Sequence, residues 1–131
     1  MSRNLLVGGI VVGICTLVAA AAALGGAPGK KFAQEVANGE YAIAVAAGNV
    51  DRPHAIYLRV QSRPHQRASG AWTMTCSKGF GAGSKSGQLR GVTPFVRKLR
   101  MPYKRPSSCT ASASAQLSSG GFVKVQLYAT H

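Results

Sequence analysis

Acidic side chains are almost missing from this chain. Three are present, Glu35, Glu40 and Asp51, against 16 Lys+Arg in 131 residues, a formal net charge of +13. From Arg52 to His131 there are 13 basic residues and no acid. Internal salt bridges cannot neutralise such a chain. It must gather counter-ions or meet an anionic partner. The same shortage removes paired carboxylates for acid–base work and carboxylate ligands for a metal ion. Histidines are few and scattered, at His54, His65 and His131, and no G-x-S-x-G elbow occurs. Asp51 and His54 are the only acid and histidine close in sequence, and they read as a surface contact across a turn. The roles that catalysis requires are unfilled, so the expectation is a protein that is not an enzyme and uses no metal or cofactor.

Charge is also missing from one long stretch. Leu5 to Leu24 runs for 20 residues without a charged side chain, after "MSRN" and before "GGAPG", Lys30 and Lys31. A signal-peptide core is usually about 7–15 residues, and a membrane span needs about 20. The length fits a span. The Ala-rich last third offers small-x-small cleavage sites such as Ala21-Ala22-Ala23. Residues 1–27 therefore read as a signal peptide or a transmembrane anchor, a hydrophobic helix in either case. The remainder is then secreted or anchored at the outer face of the cytoplasmic membrane. Arg3 on one flank against Lys30 and Lys31 on the other sets topology only weakly. Gly9 and Gly13 match a helix-packing spacing that an Ala/Gly-rich segment produces by chance. Cys15 follows Ile14 rather than a small residue and reads as part of the apolar run.

Cysteine is scarce too: three in the chain, leaving Cys76 and Cys109 beyond the apolar run. Export implies an oxidising compartment, and an even pair there reads as one disulfide. Residues 28–40 read as a linker or a short helix, with Phe32 and Val36 at i,i+4 and Asn38-Gly39 as a stop. Residues 41–131 read as the exported β domain. "YAIAVAA" (41–47) is a short apolar run ending at the Gly48-Asn49 turn signal. In "AIYLRVQ" (55–61), Ile56, Leu58 and Val60 share one face and Tyr57, Arg59 and Gln61 the other. "AWTMTCS" (71–77) sets Trp72, Met74 and Cys76 against Thr73 and Thr75. "CTASASAQL" (109–117) sets Cys109, Ala111, Ala113, Ala115 and Leu117 against Thr110, Ser112, Ser114 and Gln116. "FVKVQLYA" (122–129) sets Val123, Val125 and Leu127 against Lys124, Gln126 and Tyr128. "SSGG" (118–121) joins the last two as a hairpin. Strands at this spacing predict a small antiparallel β-sandwich or barrel.

Trp72, Cys76-Ser77-x-Gly79, a Gly/Ser stretch, Thr93-Pro94, Pro106-Ser107-Ser108-Cys109-Thr110, Ser112-Ala113 and the Gly-closed last hairpin together form a pattern. It resembles small secreted proteins of actinobacteria over about residues 55–129. That resemblance implies export, a disulfide and an all-β fold, and no function.

Three motifs bear on chemistry. "GFGAGSKS" (79–86) is one residue from a P-loop, with Ser84 in place of the second glycine. No helix pattern follows, and no acid after Asp51 can help to hold Mg²⁺. It reads as a flexible loop between strands, in which Lys78 and Lys85 can touch an anion. "DRPH" (51–54) and "SRPH" (62–65) repeat Arg-Pro-His on either side of the 55–61 strand, roughly 20 Å apart. They read as two proline turns. The alternative is two separate anion contacts that strengthen as the histidines gain protons. "PFVRKLRMPYKRPSSC" (94–109) places Arg97, Lys98, Arg100, Lys104 and Arg105 in sixteen positions, with Arg90 just upstream. Phe95, Arg97 and Leu99 share one face, so the segment is an edge strand or a loop. Charge on an edge protects a sheet from aggregation. A solvated face normally mixes signs, however, and this one does not. The expectation is a non-catalytic cationic domain that binds an anionic envelope polymer or lipid head groups through these six residues, with Tyr103 and Phe95 adding apolar contact. Nucleic acid would bind only non-specifically. The alternative is a secreted protein-recognition module, a small inhibitor or surface adaptor. A secreted cationic toxin fits less well with a compact β pattern.

Overall fold

The computed structural model describes residues 27–131. Residues 1–26, where a signal peptide or anchor and its hydrophobic helix are expected, lie outside the described residues. Eight strands follow: β1 (Lys30–Gly39), β2 (Ile43–Asp51), β3 (Ala55–Arg63), β4 (Arg67–Lys78), β5 (Gly81–Val92), β6 (Phe95–Leu99), β7 (Ser108–Leu117) and β8 (Gly121–Thr130). They form two four-stranded antiparallel sheets, ordered β1-β8-β3-β6 and β2-β7-β4-β5. The chain is an all-β sandwich. Among the described residues no helix is long and apolar enough to cross a membrane.

Alternation explains the layers. Ile56, Leu58 and Val60 of β3 and Val123, Val125 and Leu127 of β8 are wholly buried. The facing sheet supplies small residues, Ala44, Ala46, Ala111, Ala113 and Ala115, with Trp72, Met74, Leu89 and Leu117 as its large members. Bulk on one sheet against alanine on the other lets the layers interdigitate at the density of a close-packed core. Cys76 and Cys109 are register partners on β4 and β7, and their disulfide joins these neighbours within one sheet at a Cα–Cα distance of 4.1 Å.

Three expectations are corrected. The Gly48-Asn49 turn signal lies inside β2, which stays paired with β7 through to Asp51; glycine there lets β1 come close, since a Cβ would fall 3.0 Å from the Phe32 carbonyl oxygen. Residues 30–39, read as a helix or linker, are strand β1, so the β domain begins about ten residues earlier than the boundary drawn at 41. The i,i+4 pair of Phe32 and Val36 is too thin a stripe to bury a helix. The free edge of β8 offers a full ladder instead, and Ala33 and Ala37 then pack on the core beside Leu127 and Val123. Phe32 falls where the register slips between Lys31 and Ala33. The 79–86 stretch, read as a flexible loop, is mostly the start of β5. Only Gly79 and Phe80 make the turn.

Gly70 of β4 lies so close to β7 that a Cβ there would fall 1.8 Å from the Ser114 carbonyl oxygen. The obstacle is backbone and cannot swing away. We expect Gly70→Ala to lower stability by roughly 1–3 kcal/mol, the range for overpacking, measured by urea unfolding. Its exposed neighbour Ser69→Ala should stay within about 0.5 kcal/mol.

Candidate anion-binding site

The site is built where one end of each sheet meets the other. β2 crosses to β3 through Arg52–His54, and β6 crosses to β7 through residues 100–107. Both crossings lie at the end where β1 starts and β8 finishes, and where β4 turns into β5. Backbone bonds fasten these pieces together. Arg52 N–H donates to the Ser107 carbonyl (3.0 Å), Ser107 N–H to Ser77 (2.7 Å) and His54 N–H to Thr130 (2.7 Å). Lys78 Nζ donates to the Lys104 carbonyl at 2.8 Å.

The glycines of the P-loop look-alike have a packing role. Tyr103 lies against Gly81 and Gly83, and a Cβ on Gly83 would sit 3.1 Å from its ring and hydroxyl. Glycine here lets an aromatic ring approach the β5 backbone. Tyr103 and Met101 pack on the core from the 100–107 loop. The loop is therefore pinned at Tyr103, Lys104 and Ser107, and the basic side chains between these points are set on a fixed frame.

That frame encloses a cleft of about 680 Å³, bordered by His54, Lys98, Arg100, Lys104 and Arg105 over an apolar floor that includes Leu99, Met101 and Tyr103. No acidic side chain lines it. A smaller hollow of about 310 Å³ adjoins it, sharing His54 and Arg105 and adding Arg52, Pro106 and Ser107. Arg52 (φ 48°) and Arg105 (φ 50°) both hold left-handed backbone, the only non-glycine residues among those described that do so. This conformation is costly for residues with a Cβ and concentrates at sites where the surroundings impose it.

The six basic residues singled out from the sequence divide. Lys98, Arg100, Lys104 and Arg105 converge on the cleft. Arg97 faces the sandwich interior side of β6 and does a different job. Its guanidinium lies 4.9 Å over the Phe95 ring, and Nη2 donates to the Arg90 carbonyl on β5 at 2.9 Å. It thus clips the edge strands of the two sheets together, with Arg90 as its anchor point. Phe95 is buried under this clip. The two Arg-Pro-His turns sit at opposite ends of β3, and only the first reaches the cleft, through His54, with Arg52 in the adjoining hollow.

One surface was not assembled from the sequence. β3 pairs with β8, which sets Tyr57 opposite Tyr128, Arg59 opposite Gln126 and Gln61 opposite Lys124 on the outer face. Lys98 and Lys31 extend the tyrosine row on either side. Gln126 is buried. Its Nε2 donates to Gln34 Oε1 at 2.7 Å, while its own Oε1 and Arg59 Nε have no partner. The alternation of each strand was legible, but their adjacency was not. Among the described residues no three His, Cys, Asp or Glu side chains gather as a metal site.

No protein-family model matches this chain, and no curated protein does. Solved structures with a similar arrangement of strands include PirA, at 11% identity over 73% of this chain and 90% of that one, TM-score 0.38. The carbohydrate-binding module TmCBM61, solved with β-1,4-galactotriose, is similar at 12% identity over 76% and 70%, TM-score 0.39. So is the CBM32 module of AlyQ, solved with 4,5-unsaturated mannuronic acid, at 14% identity over 75% and 77%, TM-score 0.35. At these values the likeness does not bear on a ligand.

Proposed function

We propose that this chain is an exported or membrane-tethered, non-catalytic binding domain that holds an anionic component of the cell envelope in its basic cleft. The shared chemistry of an envelope polymer and a lipid head group is phosphate or carboxylate. The cleft answers it with Lys98, Arg100, Lys104 and Arg105 on a pinned frame. The observation that carries this reading is the convergence of these four cations around one cleft with no acid in its lining. Lys78 beside it bonds to the Lys104 carbonyl oxygen rather than to a carboxylate, so its charge is not cancelled within the chain. A soluble inorganic polyphosphate is the first probe. With about four phosphate contacts, affinity should fall roughly 50-fold between about 50 and 200 mM salt. A salt-independent affinity would remove the reading.

A protein-recognition role has its own supporting observation. Tyr41 in the β1–β2 turn and Ile43 and Val45 on the outer face of β2 are exposed, Tyr41 by 80%. Exposed aliphatic and tyrosine side chains are what a protein interface buries at its centre. A partner held there would be insensitive to salt and lost on Tyr41→Ala with Ile43→Ser, whereas the cleft reading expects polyphosphate binding to survive both changes.

A further inference from the structure

The β4–β5 turn places Phe80 at its apex, 113% exposed relative to a free residue. No other large apolar side chain of the described residues projects so far. Its neighbours are cationic. Lys78 flanks it in the hairpin and reaches the 100–107 loop, where Arg100, Lys104 and Arg105 lie. Lys30 and Arg52 occupy the same end, and Asp51 is the one acid there. An aromatic apex at an end rich in lysine and arginine matches an anionic bilayer, which takes the ring among its acyl chains and the cations at its phosphates.

Chain connectivity points the same way. The backbone at Gly29 rests on the end of β8, where a Cβ would fall 2.3 Å from the Ala129 carbonyl oxygen. The 20-residue apolar run Leu5–Leu24 therefore joins the domain at this end and not the other. Five residues, 25–29, separate that run from β1. Fully extended they span at most about 17 Å. Strands lie about 4.8 Å apart within a sheet and sheets about 10 Å apart. The cleft and Phe80 are then within some 15–20 Å of the point where the run attaches. If the run lies in the bilayer, the tether holds the basic end at the head-group layer. The opposite end, with Glu40, Tyr41 and the Ser118–Gly120 turn, faces away.

We propose that this end is a membrane-docking surface whose ligand is an anionic phospholipid bilayer, with Phe80 inserted and the cleft seated on head-group phosphates. The inference rests on the anion-binding reading and names the carrier of the anion. Full-length Phe80→Trp and wild-type chains are reconstituted into vesicles with brominated acyl chains, either phosphatidylcholine alone or mixed with phosphatidylglycerol. Trp72 is buried and common to both proteins, so their difference reports position 80. The expected result is loss of the added tryptophan emission in phosphatidylglycerol vesicles only, restored by adding Arg100→Glu and Lys104→Glu. Equal emission with and without bromine in anionic vesicles would overturn docking, as would equal quenching in both lipids. Polyphosphate binding to the wild-type chain in neutral vesicles separates the two failures. If polyphosphate binds and position 80 stays unquenched, the cleft is an anion site and the bilayer is not its ligand. If neither occurs, both readings fall.

Discussion

Reversing Lys98, Arg100 and Lys104 together to glutamate should lower affinity for soluble polyphosphate by on the order of 100-fold at low salt, and flatten its salt dependence. All three side chains are exposed, so the fold does not depend on burying them. The one bond that Lys104 gives to the frame uses its backbone carbonyl, which any residue provides. The change therefore reads binding and not stability. Arg97→Glu is the informative contrast. It breaks the clip to the Arg90 carbonyl and places a carboxylate beside the Phe95 ring. It should loosen the β5 and β6 edges, seen as a lower urea midpoint, while polyphosphate affinity of the folded fraction changes little. Titration by calorimetry across salt concentrations, with unfolding curves for each variant, checks both. If Arg97→Glu weakened binding as much as the triple reversal, the division of labour drawn from the cleft would be wrong.

Replacing both Cys76 and Cys109 with alanine should cost about 3–4 kcal/mol, the chain-entropy value for closing a loop of this length; the cysteines are 33 positions apart. Against a total of about 5–15 kcal/mol for a typical domain, that is a large share. The effect should reach the site as well. The disulfide lies next to Ser77 and Ser108, whose hydroxyls bond at 2.9 Å, and the Ser77 carbonyl accepts from Ser107, the last fixed point of the 100–107 loop. Loss of the bridge should lower protection of the Ser107 amide in hydrogen exchange more than that of amides at the far end, such as Ser119, which Gln66 Oε1 holds at 2.7 Å. An unchanged urea midpoint would mean that the β4–β7 ladder closes this loop without covalent help.

Much of the sandwich was legible because the side-chain period of a strand is two. In β3, β4, β7 and β8 the apolar residues fall on alternate positions, and these residues are buried; Gln126, read as outward-facing, is buried as well because β1 covers β8 there and Gln34 accepts from it. The disulfide was legible because the apolar first run reads as an export segment and only two cysteines lie beyond it. β1 and β5 were misread for a common reason. Both are edge strands with few inward apolar residues, so their pairing rests on backbone bonds to β8 and β4 and leaves little pattern in the side chains. The basic segment was legible as a cluster but not as a surface, because Arg97 differs from Lys98 only in the face of β6 it occupies.

The sequence by itself determined the charge, the apolar first segment, the inward apolar residues of four strands and the pairing of Cys76 with Cys109. These depend on composition and on local period, which need no knowledge of distant neighbours. Tertiary structure alone decided which strands are adjacent and which turns share an end. Contacts between residues far apart in the chain brought Arg52 to Arg105, Tyr57 to Tyr128 and Lys78 to the basic loop. Strand order is chosen by how two whole faces pack, alanine against leucine and valine, and no short stretch of the chain contains that choice.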